Sequence, residues 1–148
     1  MHPPDPPMTP AELAEARTVM FWSRAALARL SGAAVNTVGR WLSGRAPVPP
    51  DVAAHIRAVV AFHRANARPT AEDDGAAVML ATELHAAAAL IGWNALALAR
   101  RTGIPQAAAN RLWRSEAPVP PPNAGYIRRL AAWHATHPWP KPPNKRKD

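Results

Sequence analysis

The chain contains no cysteine, which excludes disulfides and thiolate metal sites and fits a reducing compartment. No run approaches the roughly 18 apolar residues that a membrane span needs. The first seven residues, Met1-His2-Pro3-Pro4-Asp5-Pro6-Pro7, lack the basic and apolar regions of a signal peptide, so a cytoplasmic location is expected. Acidic side chains are few, 10 against 18 lysines and arginines, and the only acidic stretch is Glu72-Asp73-Asp74. No glycine-rich loop follows a strand, no strand-like alternation occurs, and no nucleophile stands beside a base. The residues therefore give no reason to expect an enzyme, and no cofactor or metal ligand set is legible.

What is present is basic, alanine-rich and punctuated by proline. The net charge is +8 and the isoelectric point about 11.4, which directs the chain toward polyanions without implying sequence preference. With 148 residues the chain can form one domain or two very small ones. Most of its 18 prolines gather at the start, around 47–50, around 118–122 and from 138 onward. The alanine-rich stretches between them read as helices.

The chain also repeats itself. Shifted by about 71 residues, one half falls on the other without a gap. Ala46-Pro47-Val48-Pro49-Pro50 falls on Ala117-Pro118-Val119-Pro120-Pro121, and Leu27-Ala28-Arg29 on Leu98-Ala99-Arg100. Trp22 meets Trp93, Gly32 meets Gly103, Arg40 meets Arg111, and His63 meets His134. Roughly 21 of about 56 aligned positions are identical, and matched tryptophan, glycine and proline positions are not explained by alanine bias. The expected organisation is a proline-rich leader (1–8), a first repeat (9–65), an acidic linker (66–78), a second, diverged repeat (79–137) and a basic disordered tail (138–148).

Within the first repeat, Thr9 with Pro10 and Glu12 marks a helix start, and that helix runs to about residue 21. Ser23 can cap a short second helix over 24–30, ended by Gly32. A third helix spans about 34–43, ended by Gly44. After the extended Val48-Pro49-Pro50 segment, Asp51 can cap a fourth helix carrying Val52, Ile56, Val59 and His63. A short helix, a glycine turn and a second short helix is helix-turn-helix spacing. Leu27, Ala33, Val38 and Trp41 fall on its inward face. Asn36, Thr37, Arg40 and Ser43 fall outward or lateral on the third helix, where amide, hydroxyl and guanidinium groups can bond base edges or phosphates.

The pattern Trp22-Ser23, Leu27-Ala28, Gly32, Thr37-Val38, Arg40-Trp41 and Gly44 resembles the phage-repressor and Cro-like helix-turn-helix family, and both repeats, roughly four-fifths of the chain, follow it. The resemblance implies an all-α protein of two tandem four-helix units that binds double-stranded DNA, as a transcriptional regulator and often as a dimer. Many family members place glutamine on a phosphate at the start of the second helix, and this chain has Arg24 there. The second repeat departs: Arg24 becomes Ala95, Trp41 becomes Leu112 and Gly44 becomes Ser115. Its outward set is Gln106, Asn110, Arg111 and Arg114.

Arg24 and Arg45, with the tail residues Lys141, Lys145, Arg146 and Lys147, are expected on phosphates. Trp22, Trp41 and Trp93 fit core positions better than base-stacking ones. His134 and His137 have a metal-like spacing, but no third ligand matches it, and the pair reads as an ordinary surface one. The expected partner is double-stranded DNA in a bacterial or phage-encoded setting, with the chain either a monomeric pseudo-dimer or a homodimer. A protein-interaction role and nonspecific architectural binding remain open alternatives. So does a packing or dimerising role for the second repeat.

Overall fold

The computed structural model describes residues 5–141. Among these the protein is all-helical, with eight α-helices, one 3-10 turn and no strand beyond an isolated bridge between Met79 and Val119. The helices are α1 (Pro10–Met20), α2 (Arg24–Ser31), α3 (Val35–Ser43), α4 (Pro50–Ala65), α5 (Ala81–Ile91), α6 (Ala95–Thr102), α7 (Gln106–Trp113) and α8 (Pro121–Thr136), with the 3-10 turn at Ala71–Asp73. The bounds of α5, α6 and α8 are those of α1, α2 and α4 displaced by the repeat length, so the repeat is structural as well as sequential.

Local chemistry accounts for most of these limits. Thr9 Oγ1 accepts from the Glu12 amide, Ser23 Oγ from Ala26 and Asn94 Oδ1 from Ala97, each answering one orphan amide of a helix start. Gly32 and Gly103 end α2 and α6 with φ of 78° and 80°, a region closed to most side chains. Gly44 ends α3 in the same way, whereas Ser115 holds φ 66° with a side chain present. Asp51 is not a cap: α4 begins one residue earlier, and Asp51 lies in the first turn, its Oδ1 accepting from the Val52 amide. Pro49 and Pro50, with fixed φ and no amide donor, start the helix instead.

The described residues divide into two compact units, 5–61 with 139–141, and 62–138. In the first unit α3 packs on α1 and α2. Leu13, Met20, Leu27, Val38 and Ile56 are fully buried there, and Trp22 and Trp41 nearly so. Each such aliphatic side chain contributes about 1.5–3 kcal/mol on leaving water. In the second unit Met79, Leu84, Leu98, Ala109, Leu112, Val119 and Ile127 form one core under α5, α6, α7 and α8.

One clamp occurs twice. Arg57 donates to both Glu12 carboxylate oxygens at 2.7 and 2.8 Å and to the Pro6 carbonyl at 2.9 Å. Arg128 does the same to Glu83 at 2.6 and 2.8 Å and to the Ala77 carbonyl at 2.6 Å. The guanidinium bonded to each carboxylate holds Glu12 and Glu83 below the usual carboxylate range. In a partly exposed setting such pairs add little stability. Their effect is positional: each ties the segment before the first helix of a repeat to the last helix.

The linker makes defined contacts. Arg129 donates to Asp73 at 3.0 and 3.2 Å and to Asn66 Oδ1 at 2.6 Å, and the Tyr126 hydroxyl donates to the Asn66 carbonyl at 2.6 Å. A Cβ on Gly125 would stand 2.6 Å from the Asp73 carbonyl oxygen, so the close approach of linker to α8 requires glycine there. Met8 of the leader is buried. Trp139, expected in a disordered tail, lies 5.6 Å from Trp22 and 4.4 Å from His55, centroid to centroid. Lys145, Arg146 and Lys147 lie outside the described residues.

The reading of His134 and His137 as a surface pair is corrected. His137 is exposed and stacks on Trp133, but His134 is buried, and its Nε2 lies 2.8 Å from Nε2 of the equally buried His63. The phase of α8 turns residue 134 inward with Leu130 and Ile127, and spacing alone does not carry that phase.

Candidate nucleic-acid interface

The outward residues of α3 and α7 rest on the helices before them. In the first unit α2, capped by Ser23, crosses α3 through the Gly32 turn, and Val38 and Trp41 fix the inward face of α3. Ala34, Val35, Asn36, Arg40 and Ser43 are exposed, and Thr37 and Gly39 are half-buried. Arg40 Nη2 donates to Thr37 Oγ1 at 3.5 Å, a long contact, and the Ser43 hydroxyl donates to the Arg40 carbonyl at 3.2 Å. Arg45 is exposed just past Gly44, its amide bonded to the Arg40 carbonyl.

Arg24 belongs to this surface by a route that helical period does not reveal. Its Nη1 lies 3.5 Å from where a Cβ on Gly39 would stand, so the guanidinium reaches from the start of α2 onto the middle of α3. In the second repeat the same two places hold Ala95 and Asn110. The arginine is gone where α7 carries a side chain of its own. That pairwise exchange shows in the aligned repeats only when the two positions are taken together.

In the second unit α6, capped by Asn94, crosses α7 through the Gly103 turn, and Ala109 and Leu112 face inward. Gln106, Arg111 and Arg114 are exposed, and Asn110 is half-buried. Gln106 Nε2 donates to Asn110 Oδ1 at 3.1 Å, one helical turn on. Arg114 is engaged by Glu116 at 3.2 Å. Glu116 stands where the first repeat has Arg45, so the second surface is less positive at this end than the first. His85 Nε2 lies 2.8 Å from the Trp113 carbonyl, which fastens the end of α7 to α5.

The starts of α3 and α7 share a property. Neither Ala34 nor Pro105 offers a side-chain cap, whereas α2 and α6 are capped by Ser23 and Asn94. The starts of α5 and α8 also lack a side-chain cap, and an uncapped helix start favours an anionic acceptor such as phosphate. Thus the structure brings Arg24, Asn36, Thr37, Arg40, Ser43 and Arg45 to one helix pair, and Gln106, Asn110, Arg111 and Arg114 to the other. Lys141 is exposed beyond α8.

No group of three or more histidine or carboxylate residues is placed to hold a metal among the described residues, and no helix among them is long and apolar enough to cross a membrane. No family model matches the chain, and no curated protein or solved structure matches it.

Proposed function

We propose that this protein is a sequence-specific double-stranded DNA-binding regulator of transcription, a repressor in a bacterial or phage-like setting, built from two tandem helix-turn-helix units. The observation that supports this reading best is the two-sidedness of α3 and α7. Each buries an apolar side against the preceding short helix, and each exposes a side of amide and guanidinium groups with an uncapped start. A helix so mounted fits the major groove, and the net charge of +8 supplies attraction to phosphate. Such a protein acts in the cytoplasm on nucleoid DNA. It needs no cofactor and performs no catalysis.

Selection of bound duplexes from a random library, repeated over a range of salt, tests the reading. Specific binding enriches one sequence over random competitor. Nonspecific architectural binding gives salt-sensitive affinity without enrichment. No appreciable affinity at physiological salt would leave a protein-interaction module, and one observation favours that role for the second repeat. Leu80, Leu90 and Leu96 are exposed there, where the first repeat carries Thr9, Val19 and Ala25, and Glu116 engages Arg114.

A further inference from the structure

On α7 two amides are already joined by the 3.1 Å bond from Gln106 to Asn110. A couple joined by one such bond turns outward one carbonyl oxygen and one NH2 group, whichever amide is the donor. In the major groove adenine presents the N6 amino donor beside the N7 acceptor, whereas guanine presents the two acceptors O6 and N7. An oxygen beside an NH2 group satisfies both adenine atoms. Against guanine the same oxygen would face O6, acceptor to acceptor.

On α3 the places of Gln106 and Asn110 hold Val35 and Gly39, so this couple has no counterpart there. Its outward nitrogen groups are the single Asn36 amide and two guanidiniums, Arg40 beside Thr37 and Arg24 seated over Gly39. A guanidinium only donates, and its paired N–H groups match the two acceptors of guanine.

We infer that the target is composite, with α7 selecting adenine through the Gln106–Asn110 couple and α3 selecting guanine through Arg40. The inference rests on the DNA-binding reading above and adds the base each helix takes. Chemistry already joined before binding loses less side-chain freedom on contact, which favours α7 as a reader even with its lower local charge.

The test uses the full chain and the duplex enriched from a random library. Each adenine is replaced in turn by 7-deazaadenine, and each guanine by 7-deazaguanine, which remove the N7 acceptor without altering the protein. One adenine replacement is expected to weaken binding roughly 5- to 150-fold, and that loss should vanish in Gln106→Ala and Asn110→Ala. One guanine replacement should behave likewise toward Arg40→Ala and be indifferent to Gln106→Ala. An enriched duplex in which no adenine is coupled to residues 106 and 110 overturns the α7 assignment and leaves DNA binding standing. The corresponding result for guanine and Arg40 overturns the α3 assignment. Failure to enrich any sequence overturns both this inference and the reading beneath it.

Discussion

Acidification should unfold this protein in a window set by the buried histidine at the end of α4. His63 is fully buried, 2.8 Å from His134 and flanked by the rings of Phe62 and Trp93. Burial lowers its pKa from 6.5 to about 3, and the nearby His134 and Arg101 add to the effect. The folded state thus keeps His63 neutral where the unfolded chain binds a proton. Between pH 6.5 and about 3 the unfolded state holds more protons, so stability falls as the pH falls. The loss is about 2 kcal/mol by pH 5 and about 5 kcal/mol when both states have titrated. Small domains hold about 5–15 kcal/mol in all, so the first figure is a large share and the second can be the whole. Urea unfolding followed by tryptophan fluorescence at pH 7, 6 and 5 measures it. The upper window matters because Glu12, Asp73 and Glu83, whose carboxyls are held low by arginine, withdraw their stabilisation only below the ordinary carboxylate range. The double variant His63→Gln, His134→Gln keeps amides in place of imidazoles and should flatten the dependence between pH 7 and 5. A wild-type midpoint that does not move in that window, or an equal fall in the double variant, would refute the reasoning.

Four further outcomes follow from the geometry. Arg40→Ala should cost about 1–3 kcal/mol on the enriched duplex and relax the preference at one position; unchanged affinity and preference would remove Arg40 from the surface. Gly125→Ala gains about 1 kcal/mol of helix propensity. Its Cβ, however, must displace the Asp73 backbone and Ala76, and such overpacking typically costs about 1–3 kcal/mol. The melting temperature should fall, and a rise would mean that the 70–76 segment yields freely. Removing 141–148 should weaken all duplexes about equally and reduce the salt slope by about 0.9 for each phosphate no longer neutralised, with selective weakening on one sequence as the contrary result. One chain should protect about 20 bp, two half-sites about 10–10.5 bp apart. If two chains are required and the second repeat can be removed without effect, that repeat does not read DNA.

Local features of the fold are legible in the sequence, and long-range ones are not. Thr9, Ser23 and Asn94 act through bonds three residues away, and Gly32, Gly44 and Gly103 through their own φ, so a short window contains all of their physics. The core positions Leu27, Val38 and Trp41 follow from helical period. The engaged linker is different. Its bonds join residues 56 to 63 positions apart, and nothing in the Asn66 or Asp73 neighbourhood announces Arg129. Trp139 reads as tail because prolines surround it, yet it meets Trp22 and His55. On the candidate surface, the outward positions come from period alone. The Arg24 seat on Gly39, fifteen residues away across the turn, needs three dimensions.

The meeting of His63 with His134 also bears on what a duplicated sequence can and cannot keep. The two residues hold the same place in their repeats, so by position and by name they are equivalent. A bond between two imidazole nitrogens contains one proton, and that proton belongs to one ring. Whichever histidine donates carries its hydrogen on Nε2 and has none on Nδ1. The other is its reverse. At this contact two identical side chains are forced into different tautomers, and nitrogen chemical shifts would resolve them as two species. A single shared hydrogen makes the copies unlike where the amino acids are the same.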